Sequence, residues 1–138
     1  WVITKKNPFK KKAFFSLKER VQKSKKLIKK NSKIEIIYLD KKIRSSRTIN
    51  ILRYFRKKNK RIYLIIGSDN LINFHKWTSW KNIPKLCGLV VFARKGFDKK
   101  AKKSTIIKYL KNKNIIFIKN KKIDISSSQI RNNLFKKN

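Results

Sequence analysis

Methionine is absent from this chain of 138 residues, histidine and cysteine occur once each, proline twice and glycine three times. The lone Cys87 excludes an internal disulfide, and neither it nor His75 has the company that a thiolate or imidazole metal site needs. A reducing compartment, the cytoplasm, is the expected setting. No apolar run approaches the length of a membrane span; the longest, around Leu89 to Ala93, is strand-sized. The chain opens at Trp1 inside an apolar run, without a charged-then-apolar leader, and is expected to start partway through a gene product. Acidic residues are scarce as well. Six Asp and Glu face 41 Lys and Arg, a formal charge of +35.

Such a field favours polyanions, so a nucleic-acid-binding module is one reading of the chain. The lysines, however, are spread through every segment beside many Asn and Ile, all residues with A/T-rich codons. Mutational bias on solvated faces accounts for them better than a binding stripe does. What remains is the composition of a globular domain, 40% hydrophobic and 12% aromatic, long enough to bury a core.

The chain is organised around residues 61–80, RIYLIIGSDNLINFHKWTSW. Ile62 to Ile66 has the β-branched, unbroken character of a strand buried on both faces. Gly67 ends it, Ser68, Asp69 and Asn70 favour a turn and a helix start, and Leu71, Ile72 and Phe74 resume at helical spacing. Free backbone N–H groups and a helix dipole at such a turn suit an anion.

Taken in order, Trp1 to Thr4 reads as the end of a strand, and Asn7-Pro8 as a turn among lysines, Lys10 included. Ser16 to Glu19 is a capping box for a helix to about Lys30, with Leu17, Val21, Leu27 and Ile28 as its apolar face. Arg20 lacks an evident structural reason and is a candidate for the same anion site. Lys33 to Asp40 reads as a second strand, and Thr48 as the cap of a helix from Ile49 to Lys58. Pro84 is expected to end a short helix carrying Trp77 and Trp80. Leu89 to Phe92 is a buried strand running into Arg94, Lys95 and Gly96. Ala101 to Leu110 reads as a helix, Ile115 to Ile118 as a strand, and Ser126 to Arg131 as a serine-capped helix start. Strands alternate with helices throughout, which predicts a mostly parallel, Rossmann-like α/β sheet with helices on both faces.

The series KNPFK, SRTINIL, IIGSDNLINFHKW, VVFARKGFD and ISSSQIR resembles the bacterial nicotinate-nucleotide adenylyltransferase family over almost the whole chain, in the family's motif order. The resemblance implies a nucleotidyltransferase fold, with ATP, magnesium and nicotinate mononucleotide as its small-molecule partners and no specific nucleic acid. It implies that Gly67, Asp69, Ser126, Ser128 and Arg131 bind ATP or its phosphates. Thr48, Trp77 and Arg94 would line the nicotinate pocket, and Asn7 and Lys10 match a basic loop that touches phosphate. Departures fall at Arg47, where the family usually has Tyr, at Thr78, usually aromatic, and at Ser128, which replaces Thr and keeps the hydroxyl. The family's opening strand and HxGH motif would precede Trp1. The expectation is therefore a single domain, 1–138, truncated at its amino end, holding none of the catalytic histidines and inactive by itself. An inactive remnant of the family, and relatives acting on pantetheine phosphate or the amide mononucleotide, are the other readings.

Overall fold

The computed structural model describes residues 1–5, 13–29 and 31–119 and divides after Lys60 into two compact units.

In the first unit the capping box forms as the sequence predicts. Ser16 Oγ accepts the Glu19 N–H at 3.2 Å, and Glu19 Oε2 accepts the Ser16 N–H at 2.8 Å. The helix it starts, α1, spans Leu17–Ile28. Its inward stripe is Leu17, Val21, Ser24 and Ile28, one face at helical spacing. Leu27, expected on that face, is 78% exposed, because consecutive helical residues point about 100° apart.

The two expected strands, Trp1–Thr4 and Lys33–Asp40, reduce to one parallel bridge between Val2 and Ile37. Ile3 N–H donates to Ile37 O at 2.8 Å and Ile37 N–H to Trp1 O at 2.9 Å. The next donor along the ladder, Lys5 N–H, goes instead to Asp40 Oδ2 at 2.6 Å, which stops the pairing. Asp40 opens α2 (Asp40–Ile43), and the Ser46 hydroxyl donates to the same carboxylate oxygen. Arg20 also has a structural reason after all: its guanidinium donates to Thr4 O at 2.7 Å and Lys5 O at 3.0 Å.

Helix α3 spans Thr48–Arg56 and buries Ile49, Ile51 and Leu52. Thr48 is its first helical residue, not its cap. The extended cap residue is Arg47, whose N–H is taken by Ser45 Oγ at 3.1 Å.

The second unit carries the sheet. Strands β1 (Tyr63–Gly67), β2 (Gly88–Phe92) and β3 (Ile115–Ile118) run parallel in that order. Tyr63 pairs with Gly88 and Leu89 with Ile115. Between β1 and β2 lie α4 (Ser68–Ile72), single turns at Phe74–Lys76 and Trp80–Asn82, and α5 (Ile83–Leu86). Between β2 and β3 lie α6 (Asp98–Lys102) and α7 (Thr105–Leu110). The parallel α/β class is the expected one. Leu71, Phe74, Ile83, Leu89, Val91, Ala101 and Ile106 are wholly buried and form the core beneath these helices.

The opposite sheet face is more open than the apolar run predicted. Tyr63 is 58% and Ile65 65% exposed. Both connections step the same way along the sheet, and crossovers of the usual right hand then lay all their helices on one face. Two further boundaries move. Pro84 lies in the first turn of α5, where its missing N–H costs nothing, so it starts a helix there. The expected helix Ala101–Leu110 breaks at Ser104, whose extended backbone caps α7. Cys87, buried just before β2, donates its thiol to Ile83 O at 3.4 Å. Burial pushes that thiol up from 9.0 to about 11, so it stays protonated and is no nucleophile at neutral pH.

Candidate functional site

Parallel strands deliver their carboxyl ends to one edge of a sheet, and the residues just beyond them face a common space. At the end of β1 stands Gly67. A Cβ built there would lie 2.3 Å from Asp69 Oδ1 and 3.1 Å from Arg94 Nε. Its backbone is ordinary extended chain, φ −84° and ψ 157°, so glycine is required here for room and not for conformation. Into that room come Asp69, from the first turn of α4, and Arg94, two residues past β2. Arg94 Nε lies 3.4 Å from Asp69 Oδ1, with the two side chains 51% and 29% exposed. The pair is thus presented to solvent directly over the bare Gly67 backbone.

Beneath it is a buried support. Ser68 is 1% exposed; its hydroxyl donates to Asp98 Oδ1 at 2.8 Å and accepts the Arg94 N–H at 3.0 Å. Asp98 Oδ1 accepts the same Arg94 N–H at 2.9 Å. Neither Ser68 nor Asp98 was singled out from the sequence as a site residue. Ser68 reads as a turn former, and the only hint for Asp98 is a carboxylate opening a helix four residues after a strand-end arginine.

Helix α4 has five residues, so few peptide dipoles align at its start. The attraction for an anion here rests on Arg94 more than on the helix end that the sequence suggested. Trp77 follows the turn Phe74–Lys76 and stacks on the buried Phe74, centroids 5.0 Å apart and planes 25° apart. Packing holds that ring half-buried. His75, on the same turn, has no hydrogen-bond partner for its buried Nδ1 among the described residues. No group of three His, Cys, Asp or Glu able to cage a metal occurs among the described residues.

Of the residues singled out from the sequence, Gly67, Asp69 and Arg94 come together. Trp77 is fixed within the same unit by Phe74. Thr48 begins α3 in the first unit, half-buried. Asn7, Lys10, Ser126, Ser128 and Arg131 lie outside the described residues.

The sequence model of the cytidylyltransferase-like family matches residues 1–133. Three relatives carry the name "Probable nicotinate-nucleotide adenylyltransferase". That of Pelagibacter ubique is 46% identical over 132 residues, which covers 95% of this chain and 73% of the relative. That of Aquifex aeolicus is 34% identical over 137 residues, covering 94% and 80%. That of Fusobacterium nucleatum is 32% identical over 118 residues, covering 82% and 59%.

Proposed function

The chain belongs to the nicotinate-nucleotide adenylyltransferases of the cytidylyltransferase-like family, and on that premise we propose that it serves adenylyl transfer from ATP to nicotinate mononucleotide in NAD biosynthesis. A phosphate oxygen of the mononucleotide attacks the α-phosphorus of ATP. The bond to the bridging oxygen breaks, and pyrophosphate leaves with the electron pair. Nicotinic acid adenine dinucleotide is the product. No covalent bond to the protein forms, so catalysis is a matter of positioning and charge neutralisation.

The observation that supports this reading is the Asp69–Arg94 pair lying over Gly67 at the carboxyl edge of a parallel sheet. Gly67 lets a nucleotide approach the backbone, and Asp69 supplies an acceptor for it. Arg94 answers an anionic group of the mononucleotide, and the likeness to the family gives Trp77 and Thr48 a part in binding nicotinate. Ser126, Ser128 and Arg131 hold the ATP phosphates, and Asn7 and Lys10 touch phosphate. ATP is taken as its magnesium complex. No helix among the described residues is long and apolar enough to cross a membrane, and the buried free thiol fits a reducing cytoplasm.

The test is an assay of the full-length protein with ATP and, in turn, nicotinate mononucleotide, its amide counterpart and pantetheine phosphate. Dinucleotide and pyrophosphate should appear in equal amounts with the acid as best substrate. Preference for the amide or for pantetheine phosphate would overturn the substrate assignment, and absence of product with all three would overturn the activity.

A further inference from the structure

The main-chain N–H of Arg94 is held by two acceptors at once. One residue earlier the chain still bonds toward β3, Ala93 N–H donating to Ile118 O at 3.2 Å. Arg94 N–H turns toward the end of β1 and is shared by Ser68 Oγ and Asp98 Oδ1, which the Ser68 hydroxyl ties together. Beyond it the chain makes a tight turn, closed by Phe97 N–H to Arg94 O at 3.1 Å. Gly96 sits in that turn at φ +82°, the left-handed position that favours glycine. The backbone of a solvent-exposed arginine is therefore anchored on both sides, once by a buried hydroxyl and a carboxylate and once by the turn. Its side chain departs from a fixed point. Asp69 meets it at Nε, one edge of the guanidinium, and the fork at the other end has the geometry that takes two anionic oxygens together.

We infer that Asp98, through Ser68 and the Arg94 N–H, is a positioning residue that aims Arg94 at an anionic oxygen pair of the mononucleotide substrate. The inference rests on the proposed adenylyl transfer. Two groups of that substrate share the chemistry, its ring carboxylate and its phosphate. Asp98 itself touches no substrate.

The experiment compares the full-length protein with Asp98→Ala, Asp98→Asn and Ser68→Ala, measuring kcat and KM for ATP and for the acid and amide mononucleotides. Asp98→Ala should raise KM for the acid mononucleotide about tenfold and leave KM for ATP within about twofold. Asp98→Asn keeps an acceptor oxygen at the same place and should recover most of the loss. If Arg94 serves the carboxylate, the acid substrate suffers and the amide does not. If it serves the phosphate, both suffer alike. Either pattern supports the inference. Should Asp98→Ala fail to fold, Ser68→Ala removes the other acceptor and carries the same expectation. An active protein in which mononucleotide KM is unmoved, or in which KM for ATP rises in step with it, overturns this inference alone. An unaltered protein that neither binds nor adenylylates the mononucleotide overturns the proposed reaction and this inference together.

Discussion

A single hydrogen atom in place of a side chain decides whether Asp69 and Arg94 can meet. The Cβ of an alanine at position 67 would sit 2.3 Å from Asp69 Oδ1, an approach that no relaxed structure tolerates. The clashing atom is the end of a mobile side chain, and φ −84° suits alanine, so the fold can yield cheaply while the pair cannot survive. Gly67→Ala should therefore shift thermal stability by less than about 1 kcal/mol while lowering kcat/KM by about tenfold or more, roughly 1.4 kcal/mol in the transition state. Calorimetry and steady-state kinetics on the same preparation decide it. Full activity in the alanine variant would mean that the ion pair has no part in the reaction.

Among the elements, α1 shows how much a few local residues specify. The Ser16–Glu19 reciprocity was legible because both partners lie within one turn. Ser16→Ala should cost about 1 kcal/mol of helix stability and speed amide exchange at Glu19. The Ser16 hydroxyl and then its backbone N–H hold the Glu19 carboxylate below its ordinary 4.5. A depressed carboxylate stabilises fully above its unfolded value and ceases to do so as pH falls through its folded one. The difference between wild type and Ser16→Ala should thus be constant near neutrality and shrink in acid. A difference that is equal at neutral and strongly acid pH would sink the reciprocal cap. The same locality explains what could be read elsewhere. The runs at Ile62–Ile66, Leu89–Phe92 and Ile115–Ile118 announced the three strands. The loss of pairing after Val2–Ile37 could not be read, since it turns on Lys5 N–H choosing Asp40, 35 residues away. Nor could the Ser68–Asp98 bond, which joins residues 30 apart. The exposure of Ile65 comes from the direction in which the crossovers step, which no window of sequence contains. Gly67, Asp69 and Arg94 could be singled out because glycine and charge at strand ends are unusual enough to notice.

For the molecule as a whole, 41 basic residues against six acidic ones mean self-repulsion in the folded state. Raising the salt from about 0.01 M to about 0.3 M shortens the screening length from about 30 Å to well under 10 Å. The melting temperature should rise across that range, and retention on a heparin column should disappear over it. A melting temperature indifferent to salt would show that the charges are too dispersed to strain the fold. Heparin retention that outlasts about 0.5 M salt would point to an organised polyanion site, because diffuse attraction decays steeply with ionic strength.

The order of the strands also sets a timetable. Tyr63 must find Gly88, and Leu89 must find Ile115, so each pairing closes a loop of roughly 25 residues before any ladder bond forms. Among the described residues this sheet has no hairpin to nucleate it locally. Its strands therefore wait, apolar and unpaired, until the intervening helices have brought their partners back, which makes folding slow and the waiting chain prone to stick to its own kind. The large positive charge that loosens the finished fold keeps those waiting chains apart.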